Sequence, residues 1–557
     1  MTDIFDLAST AVDELVELSP QTGTVLGVPG TSDRWDDHSP DGVAAMRAFQ
    51  LALSERTRRA DVARPGGLLA QAVLMDETAR IIDAVDAGEP FADLNNIASP
   101  WQGLRDIFEQ MPMATAGDWT DIAVRLETID RPLTGYLATL HQGLDHGEAV
   151  AVRQVEAAIE QGGVTAGDGS TFVRLGERYD RSGVNDEALG RRLAAAIDHA
   201  RSAYGSATEW LRADYLPHAR PEDGVGIDRY VRAARTFLGE TIDPHVIYAW
   251  GWEELTALQA RGVELAAQID PAASLAGVID LMVTDPGRSA HSVDEFIGIM
   301  ADLQHGALDS LAGVHFDVPE PIRRIDVKVA PPGGALAPYY EGPSEDFSRP
   351  GCVWYPIGDR TVFPLYDEVT TAYHEGFPGH HLQIGVQATQ AGTLSRFHRN
   401  LVWYSGSGEG WALYAERLMG ELGYLDRPDY ELGLISSQLL RACRVVIDIG
   451  CHLGLPIPAA SPFHPGEAWS YDLAVEMLET VAFTSPAMAR SEVTRYLGWP
   501  GQAISYKLGE KAILDLRTEL VERGGVDQRR FHAAVLGVGS IGLDLMRQSV
   551  RDDLAGS

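Results

Sequence analysis

The chain has 557 residues, of which 45% are hydrophobic and 22% are charged, the composition of a globular protein with room for more than one packed region. Its formal net charge is -35, and a field of that sign repels phosphate backbones and anionic lipid surfaces. Neither nucleic acid nor a membrane surface is therefore expected as a partner.

The N-terminal segment predicts a cytoplasmic protein. It is acidic and amphipathic, without the basic region and unbroken apolar stretch of a signal peptide. No later stretch reaches the roughly 18 uncharged apolar residues of a membrane-spanning helix. The three cysteines, Cys352, Cys443 and Cys451, are too few and too scattered for a disulfide framework or a thiolate zinc site, so we expect them to be buried and reduced.

The first 315 residues predict a run of amphipathic helices separated by Pro, Gly and Asp. The clearest helical patterns cover residues 11–18, 187–211 and 243–269. A small sheet or hairpin is expected next, because apolar residues alternate in three short segments. These segments are residues 323–329, 352–356 and 361–363.

A loop rich in turn residues lies between the first two of these segments. It runs from Pro331 to Gly334 and is followed by the aromatic pair Tyr339 and Tyr340. Loops of this kind line clefts, so both tyrosines are candidates for substrate binding.

Helical patterns return after residue 366, and no low-complexity linker or internal repeat interrupts them. They cover residues 367–377, 408–422, 431–454, 467–481 and 504–520. The predicted fold class is mainly α, with an N-terminal helical region at residues 1–315 and a catalytic helical region with a small β element at residues 316–557. We expect these regions to form one continuous two-lobed unit.

The strongest chemical signal lies at residues 374–381, where a His-Glu pair and two further histidines surround a Pro-Gly break. The pattern is a stretched form of HExxH, in which two histidines bind Zn²⁺ and the Glu beside the first is the general base. In an unbroken helix His374 and His380 would point to different faces. Because Pro378 breaks the helix, we expect a turn that brings His380 back towards His374, with His381 as the alternative ligand.

A third ligand is expected from the following helical segment, in which glycines alternate with polar residues. Glu409 is the first candidate and Glu416 the second. The glycines beside Glu409 favour a close approach of backbone and metal, while Trp411 would pack this helix beside the first.

At these residues the sequence resembles the bacterial family catalogued as domain of unknown function 885, whose signature is HExxPGHxxQ followed by GEGWALYAE. The match extends to residues 338–341, 441–452 and 495–509, and it covers essentially the whole chain. That family is similar in fold to thermostable zinc carboxypeptidases, which are helical enzymes with a long central groove, and to other zincins with a Glu as third ligand. The resemblance therefore implies a multi-helix, zincin-like metallopeptidase, and the family's motif rather than helix geometry carries the ligand assignment.

We interpret the chain as a hydrolase, a zinc-dependent metallopeptidase with one Zn²⁺ per chain. His374, His380 and Glu409 would bind the metal, and Glu375 would take the proton of the attacking water. The resemblance favours a carboxypeptidase acting on peptides, while a dipeptidase and an oligoendopeptidase are the alternatives. A homodimer is one of the oligomeric states compatible with the sequence.

Further residues are candidates for roles around the metal. A phenol near zinc stabilises a developing oxyanion, and Tyr506 is the candidate for that role, with an ordinary core tyrosine as the alternative. Arginine suits a substrate carboxylate because of its bidentate fork. Arg495 is the first candidate, ahead of Arg441, with a structural salt bridge as the alternative role of Arg495.

The pair Asp448 and His452 falls at positions i and i+4 of one predicted helix. One interpretation is that Asp448 and His452 form a structural ion pair. The other is that the two residues act with His381 behind the metal ligands and orient a ligand side chain.

Two rival functions use the same residues. An Fe(II) oxygenase also binds its metal with two His and one carboxylate. That chemistry does not use a carboxylate directly after the first histidine, which is the position of Glu375. A helical protein with a structural, non-catalytic metal is the other rival, and closed coordination by four protein ligands would favour it.

Overall fold

The computed structural model describes residues 1–331, 337–344 and 346–555. Helices account for 67% and strands for 5% of the chain, so the predicted mainly α fold class is confirmed. The chain divides into two compact units, Met1–Gly224 with Leu497–Trp499, and Val225–Tyr496 with Pro500–Ser557. This division does not coincide with the one expected after residue 315, because the long helix at Pro244–Ile269 packs along the helix at Pro428–Leu453 of the second unit.

The first unit is helical and has a core rich in aromatic side chains. Trp101 and Trp119 are buried, and the ring of Trp101 packs edge-on against Tyr204 with 5.1 Å between centroids. The helix predicted at residues 187–211 is present, and its N-terminus is capped by the Asp186 carboxylate, which accepts from two backbone amides. The helices of this unit are α1 (Ile4–Leu18), α2 (Pro20–Val25), α3 (Pro40–Arg58), α4 (Gly67–Asp86), α5 (Pro100–Asp106), α6 (Ala116–Thr128), α7 (Asp130–His146), α8 (Val152–Ala166), α9 (Thr171–Arg181) and α10 (Glu187–Trp210).

The second unit contains the remaining helices and all the strands of the described residues. Its helices are α11 (Gly226–Leu238), α12 (Pro244–Ile269), α13 (Leu275–Thr284), α14 (Val293–Leu311), α15 (Glu368–Glu375), α16 (His380–Thr389), α17 (Arg396–Leu401), α18 (Ser405–Glu421), α19 (Pro428–Leu453), α20 (Tyr471–Thr480), α21 (Pro486–Gly498), whose last two residues belong to the first unit, α22 (Ser505–Arg517), α23 (Gln528–Gly537) and α24 (Leu543–Ala555). Each helical pattern read from the second half of the sequence corresponds to one of them.

Two small sheets confirm the predicted β element. The strands are β1 (Ser289–Ala290), β2 (Ile325–Val329), β3 (Tyr339–Glu341), β4 (Gly351–Tyr355) and β5 (Phe363–Pro364). β4 lies in the middle of the larger sheet, parallel to β2 and antiparallel to β3, while β1 pairs with β5.

One segment expected as a loop is a strand. Tyr339 and Tyr340 pair with Trp354 and Val353 of β4, because two aromatic residues in sequence suit a pleated, half-buried strand as well as a loop. The turn expected from Pro331 to Gly334 lies, apart from its first residue, outside the described residues.

A buried apolar cluster holds α15 against the larger sheet and α14. Phe296 of α14 stacks on Phe363 of β5 with 4.7 Å between ring centroids, and Val353, Tyr355 and Ala372 complete the contact without exposed surface. This packing matters for function because α15 carries His374 and Glu375.

Among the described residues, no helix combines the length and the apolar character that crossing a membrane requires. None of the three cysteines forms a disulfide. Cys352 and Cys443 are buried as expected, whereas Cys451 is only half-buried, so the expectation of burial was wrong for that residue.

Candidate metal centre

The side chains of His374, His380 and Glu409 converge in the second unit. Each offers one ligand atom, and these atoms lie within 4.8 Å of one another. Nε2 of His374 is 3.4 Å and Nε2 of His380 is 3.5 Å from Oε2 of Glu409. Two imidazole nitrogens and one carboxylate oxygen are the protein ligands of many catalytic zinc sites, so the donor set fits the metal expected from the sequence.

A sharp break between α15 and α16 brings the two histidines together. α15 ends at Glu375 and α16 begins at His380, with Pro378 between them, as the sequence predicted. Gly379 is required in this turn, since a Cβ there would lie 2.0 Å from the carbonyl oxygen of His374. The rings of the two histidines consequently meet edge-on, with 5.0 Å between centroids and 87° between their planes.

The break is held by Gln304 of α14, a residue that the sequence did not single out. Its side-chain amide donates to the carbonyl of Ala372 at 2.6 Å and accepts from the backbone N–H of Phe377 at 2.6 Å. It thereby gives the Phe377 N–H an acceptor beyond the end of α15 and adds a second donor to the Ala372 carbonyl, which also accepts from the backbone N–H of Gly376. No sequence signal identifies Gln304, because it lies about 70 residues from its partners, in a separate helix.

Glu416 orients His374 rather than serving as a third ligand. Its Oε1 lies 2.6 Å from Nδ1 of His374, and the carboxylate also accepts from Thr370 and Arg441. Glu416 has no exposed surface. A histidine whose Nδ1–H is bound to a carboxylate presents Nε2 to a metal, which is the atom of His374 that faces Glu409.

In the metal-free site the charges favour an ionised Glu409 and a protonated His374, whose proton a metal would displace on binding. Burial lowers the pKa of His374, but its bonds to Glu409 and Glu416 outweigh burial and raise the pKa to about 9. Burial likewise raises the pKa of Glu409, but His374 and His380 hold the pKa of this carboxyl well below its usual value. Glu409 is therefore ionised, as a metal ligand must be.

The glycines around Glu409 allow close packing of α18. Gly410 faces Gly509 of α22, where a Cβ would lie 2.4 Å from the backbone, and a Cβ on Gly408 would lie 2.4 Å from the ring of Trp403. The glycines thus allow close contact of α18 with α22 and with an aromatic ring. Trp411 does pack this helix against the break, through a 2.9 Å hydrogen bond from its indole N–H to the carbonyl of Pro378.

The predicted general base, Glu375, lies beside the three candidate ligands and is partly exposed to solvent. Oε1 of Glu375 is 4.0 Å from Nε2 of His374, and 14% of the side chain is exposed. Burial raises the pKa of Glu375, and the nearby Glu409 carboxylate acts in the same direction. A carboxylate with a raised pKa, close to the metal-binding nitrogen, suits a group that accepts a proton from water.

His381, the alternative ligand, has both ring nitrogens engaged by protein atoms. Nε2 is 2.8 Å from the carbonyl oxygen of Ile322, and Nδ1 is 3.0 Å from the hydroxyl of Tyr340. Burial lowers the pKa of His381 to about 4, so the ring is neutral, donates to the carbonyl and accepts from the phenol. Because both nitrogens of His381 are engaged, His380 is favoured as the ligand. Tyr340 hydrogen-bonds to His381, and Tyr339 stacks on Trp354.

Tyr506 and Arg441 lie near the trio. Tyr506 is half-buried within a buried stretch of α22, and burial together with the Glu409 carboxylate raises the pKa of its phenol. Arg441 contacts Glu416 at 3.2 Å and acts electrostatically on Glu375. Both side chains are therefore close enough to the Glu375 and Glu409 carboxylates to interact with them electrostatically.

Arg495 is already paired. Its Nε and Nη2 donate to the two carboxylate oxygens of Glu492 at 3.0 and 2.9 Å, and its Nη1 donates to Gln502. Arg444 donates to the same carboxylate and lies over the ring of Tyr506. The guanidinium of Arg495 is thus part of a buried ion-pair cluster, which supports a structural salt bridge as its role.

Asp448 and His452 form a buried pair with other partners. Oδ2 of Asp448 accepts from the hydroxyl of Tyr230 at 2.6 Å and from the backbone N–H of Gly501 at 3.0 Å. Nε2 of His452 lies 3.0 Å from the carbonyl oxygen of Tyr496. These contacts join α11, α19 and the α21–α22 region, which favours the structural reading of the pair.

A family model described as "Bacterial protein of unknown function (DUF885)" matches residues 20–550. No curated protein matches the chain.

Two solved structures are similar to the chain over nearly its full length. One is the crystal structure of a "putative lipoprotein" from Colwellia psychrerythraea, with 23% identity and a TM-score of 0.85, covering 100% of this chain and 99% of that chain. The other is a "putative lipoprotein of unknown function" from Shewanella oneidensis, with 16% identity and a TM-score of 0.76, covering 98% and 99%. At these identities the likeness concerns the fold alone.

Proposed function

The chain belongs to the DUF885 family of bacterial proteins of unknown function, and from its own residues we propose that it is a zinc-dependent peptidase. One observation carries the proposal. The ligand atoms of His374, His380 and Glu409 converge within 4.8 Å, and the Glu375 carboxylate lies 4.0 Å from one of them. A trio of ligands with an adjacent, partly exposed carboxylate is the arrangement that metal-assisted hydrolysis requires.

His374, His380 and Glu409 would hold one Zn²⁺ per chain. Bound there, zinc would lower the pKa of a water molecule and polarise the carbonyl of a peptide bond. Glu375 accepts the proton of the attacking water and delivers it to the leaving amine. The phenol of Tyr506 donates to the carbonyl oxygen as negative charge develops on it.

We further propose a carboxypeptidase, with Arg441 as the residue that binds the C-terminal carboxylate of the substrate. Its Nη2 has one bond, to Glu416, and its buried Nε has no hydrogen-bond partner among the described residues. All three guanidinium nitrogens of Arg495, in contrast, donate to protein acceptors. These contacts support Arg441 ahead of Arg495 as the residue that binds the substrate carboxylate, the opposite of the order expected from the sequence.

The experiment for the reaction class uses the zinc-loaded chain and a peptide library, with products identified by mass spectrometry. We expect single C-terminal residues to be released, and we expect the release to stop when a chelator removes the metal and to resume when zinc is restored. The Glu375→Gln variant is the matched control, since it keeps the ligands and lacks the base.

Release of internal fragments or dipeptides would replace the carboxypeptidase by an oligoendopeptidase or a dipeptidase. Absence of any cleavage, or turnover of 2-oxoglutarate with Fe(II), would contradict the peptidase. The cytoplasmic location and the long central groove stay predictions.

A further inference from the structure

One aromatic side chain of the chain stands apart by its exposure. All eleven tryptophans lie in the described residues, and Trp403 is the exposed one among them, with 47% of its surface accessible. Its chain neighbours Val402 and Tyr404 are 3% and 2% exposed. A lone exposed apolar residue is common on proteins, so the surroundings of the ring decide whether it has a function.

The ring of Trp403 lies between the two segments that carry metal ligands. Its centroid is 6.1 Å from that of the His380 ring, with 49° between the planes. Its six-membered ring also rests on the first turn of α18, because a Cβ on Gly408 would lie 2.4 Å from a ring carbon. Gly408 directly precedes the ligand Glu409. The ring is thus supported on two sides and open to solvent elsewhere.

We propose that Trp403 is a specificity-determining residue, which stacks on an aromatic side chain of the substrate residue next to the cleaved bond. The inference rests on the proposed peptidase function and deepens it. A flat ring, supported by a helix backbone and by an imidazole, presents a rigid apolar surface. Aromatic side chains gain from offset or edge-on contact with such a surface and from removal of apolar area from water.

The test measures binding without catalysis. Zinc-loaded Glu375→Gln protein is titrated calorimetrically with penta-alanine and with five peptides that each carry one phenylalanine. We expect phenylalanine at one position to tighten binding about tenfold, the effect of roughly 1.4 kcal/mol of stacking and burial. Adding Trp403→Ala should remove this preference, whereas Trp403→Phe should retain most of it.

Three controls separate specificity from a structural role. Met488→Ala truncates another exposed apolar residue of the second unit and should leave the preference intact. Zinc affinity and binding of penta-alanine should stay within about threefold of the parent in Trp403→Ala, since an exposed side chain leaves no internal cavity. A weakening that is equal for all peptides, or a preference that survives in Trp403→Ala, would overturn the inference.

The same titrations with lysine-containing peptides distinguish stacking from a cation over the ring. A preference for lysine that depends on Trp403 would overturn the aromatic assignment. Hydrolysis by the wild-type chain is measured in parallel. A Trp403-dependent preference without any cleavage would contradict the peptidase alone, and cleavage without such a preference would contradict the role of Trp403 alone.

Discussion

The carboxylate of Glu416 lies 2.6 Å from Nδ1 of His374 and is wholly removed from solvent. The bond fixes the ring of His374 so that Nε2 faces Glu409 at 3.4 Å. A buried carboxylate behind a histidine ligand both orients the ring and increases its basicity. The proposed metal centre would therefore depend on a residue that is not itself one of the ligands.

We expect Glu416→Gln to weaken zinc binding by about 10- to 100-fold, because the amide keeps the shape but loses the charge that supports His374. Competition with a fluorescent chelator measures the affinity. Glu421→Gln, on the same helix and paired with Arg517 at the surface, is the matched control. Equal zinc affinity in all three proteins would contradict the role of Glu416.

His380 and His381 should respond differently to replacement by alanine. Loss of His380 removes a ligand, so zinc content measured by elemental analysis should fall well below one per chain. Loss of His381 leaves the trio intact but removes its bonds to Ile322 and Tyr340, which should lower stability by about 2 kcal/mol. Loss of zinc in the His381 variant only would exchange the two assignments.

Glu375→Gln should keep both the fold and the metal while lowering kcat by roughly 10²- to 10⁴-fold, because an amide does not accept the proton of the attacking water. Circular dichroism and zinc content serve as controls on the same sample. Activity equal to that of the wild type would remove Glu375 from the role of general base.

Peptides with a free and with an amidated C-terminus distinguish Arg441 from Arg495 as the residue that binds the substrate carboxylate. If Arg441 binds the terminal carboxylate, Arg441→Met and amidation of the peptide should each lower kcat/KM by about 10- to 100-fold, and the two losses should not add. Arg495→Met should affect free and amidated peptides alike, because its guanidinium serves Glu492. The ratio of kcat/KM for the two peptides is measured at saturating zinc. Full activity on amidated peptides would discard the carboxylate contact.

Asp448 should make stability depend on pH. Burial raises its pKa to about 7, although hydrogen bonds from Tyr230 and Gly501 and the charge of Arg495 act against burial. The folded chain therefore binds this proton more tightly than the unfolded chain, whose carboxyl has a pKa of about 3.9. The stability that the proton contributes is present below about pH 4 and is lost as pH rises to about 7.

Asp448→Asn cannot lose that proton, and its amide oxygen still accepts from Tyr230 and Gly501. Its melting temperature should consequently fall less than that of the wild type between pH 5 and pH 8, measured by calorimetry of the metal-free chain. His452 and Arg495, which are close to this carboxyl, are unchanged in the comparison. Parallel pH profiles would contradict the raised pKa.

Local features of the sequence were sufficient for much of the fold. Helical periodicity identified α10, α12, α19 and α22 to within a few residues, because each buries one face over several turns. Pro378 indicated the break between α15 and α16 because a proline in the interior of a helix removes a backbone hydrogen bond and interrupts the helix. The strand at Tyr339–Glu341 was missed, since three residues form a strand only when a partner such as β4 lies beside them.

By itself the sequence determined the candidates for the site, namely His374, Glu375 and His380 around a local break and Glu409 from a later helix, because these residue types match the donors and the base of metal-assisted hydrolysis. Only the tertiary structure decided which other side chains contact and support these residues. Glu416 was visible as an acid but not as the partner of His374, and Gln304 and Trp403 carried no signal. Arg441 and Arg495 have the same side chain, and they differ only in what the fold packs against each guanidinium. Contacts between separate helices depend on how their surfaces meet in space, and neither periodicity nor residue type specifies that.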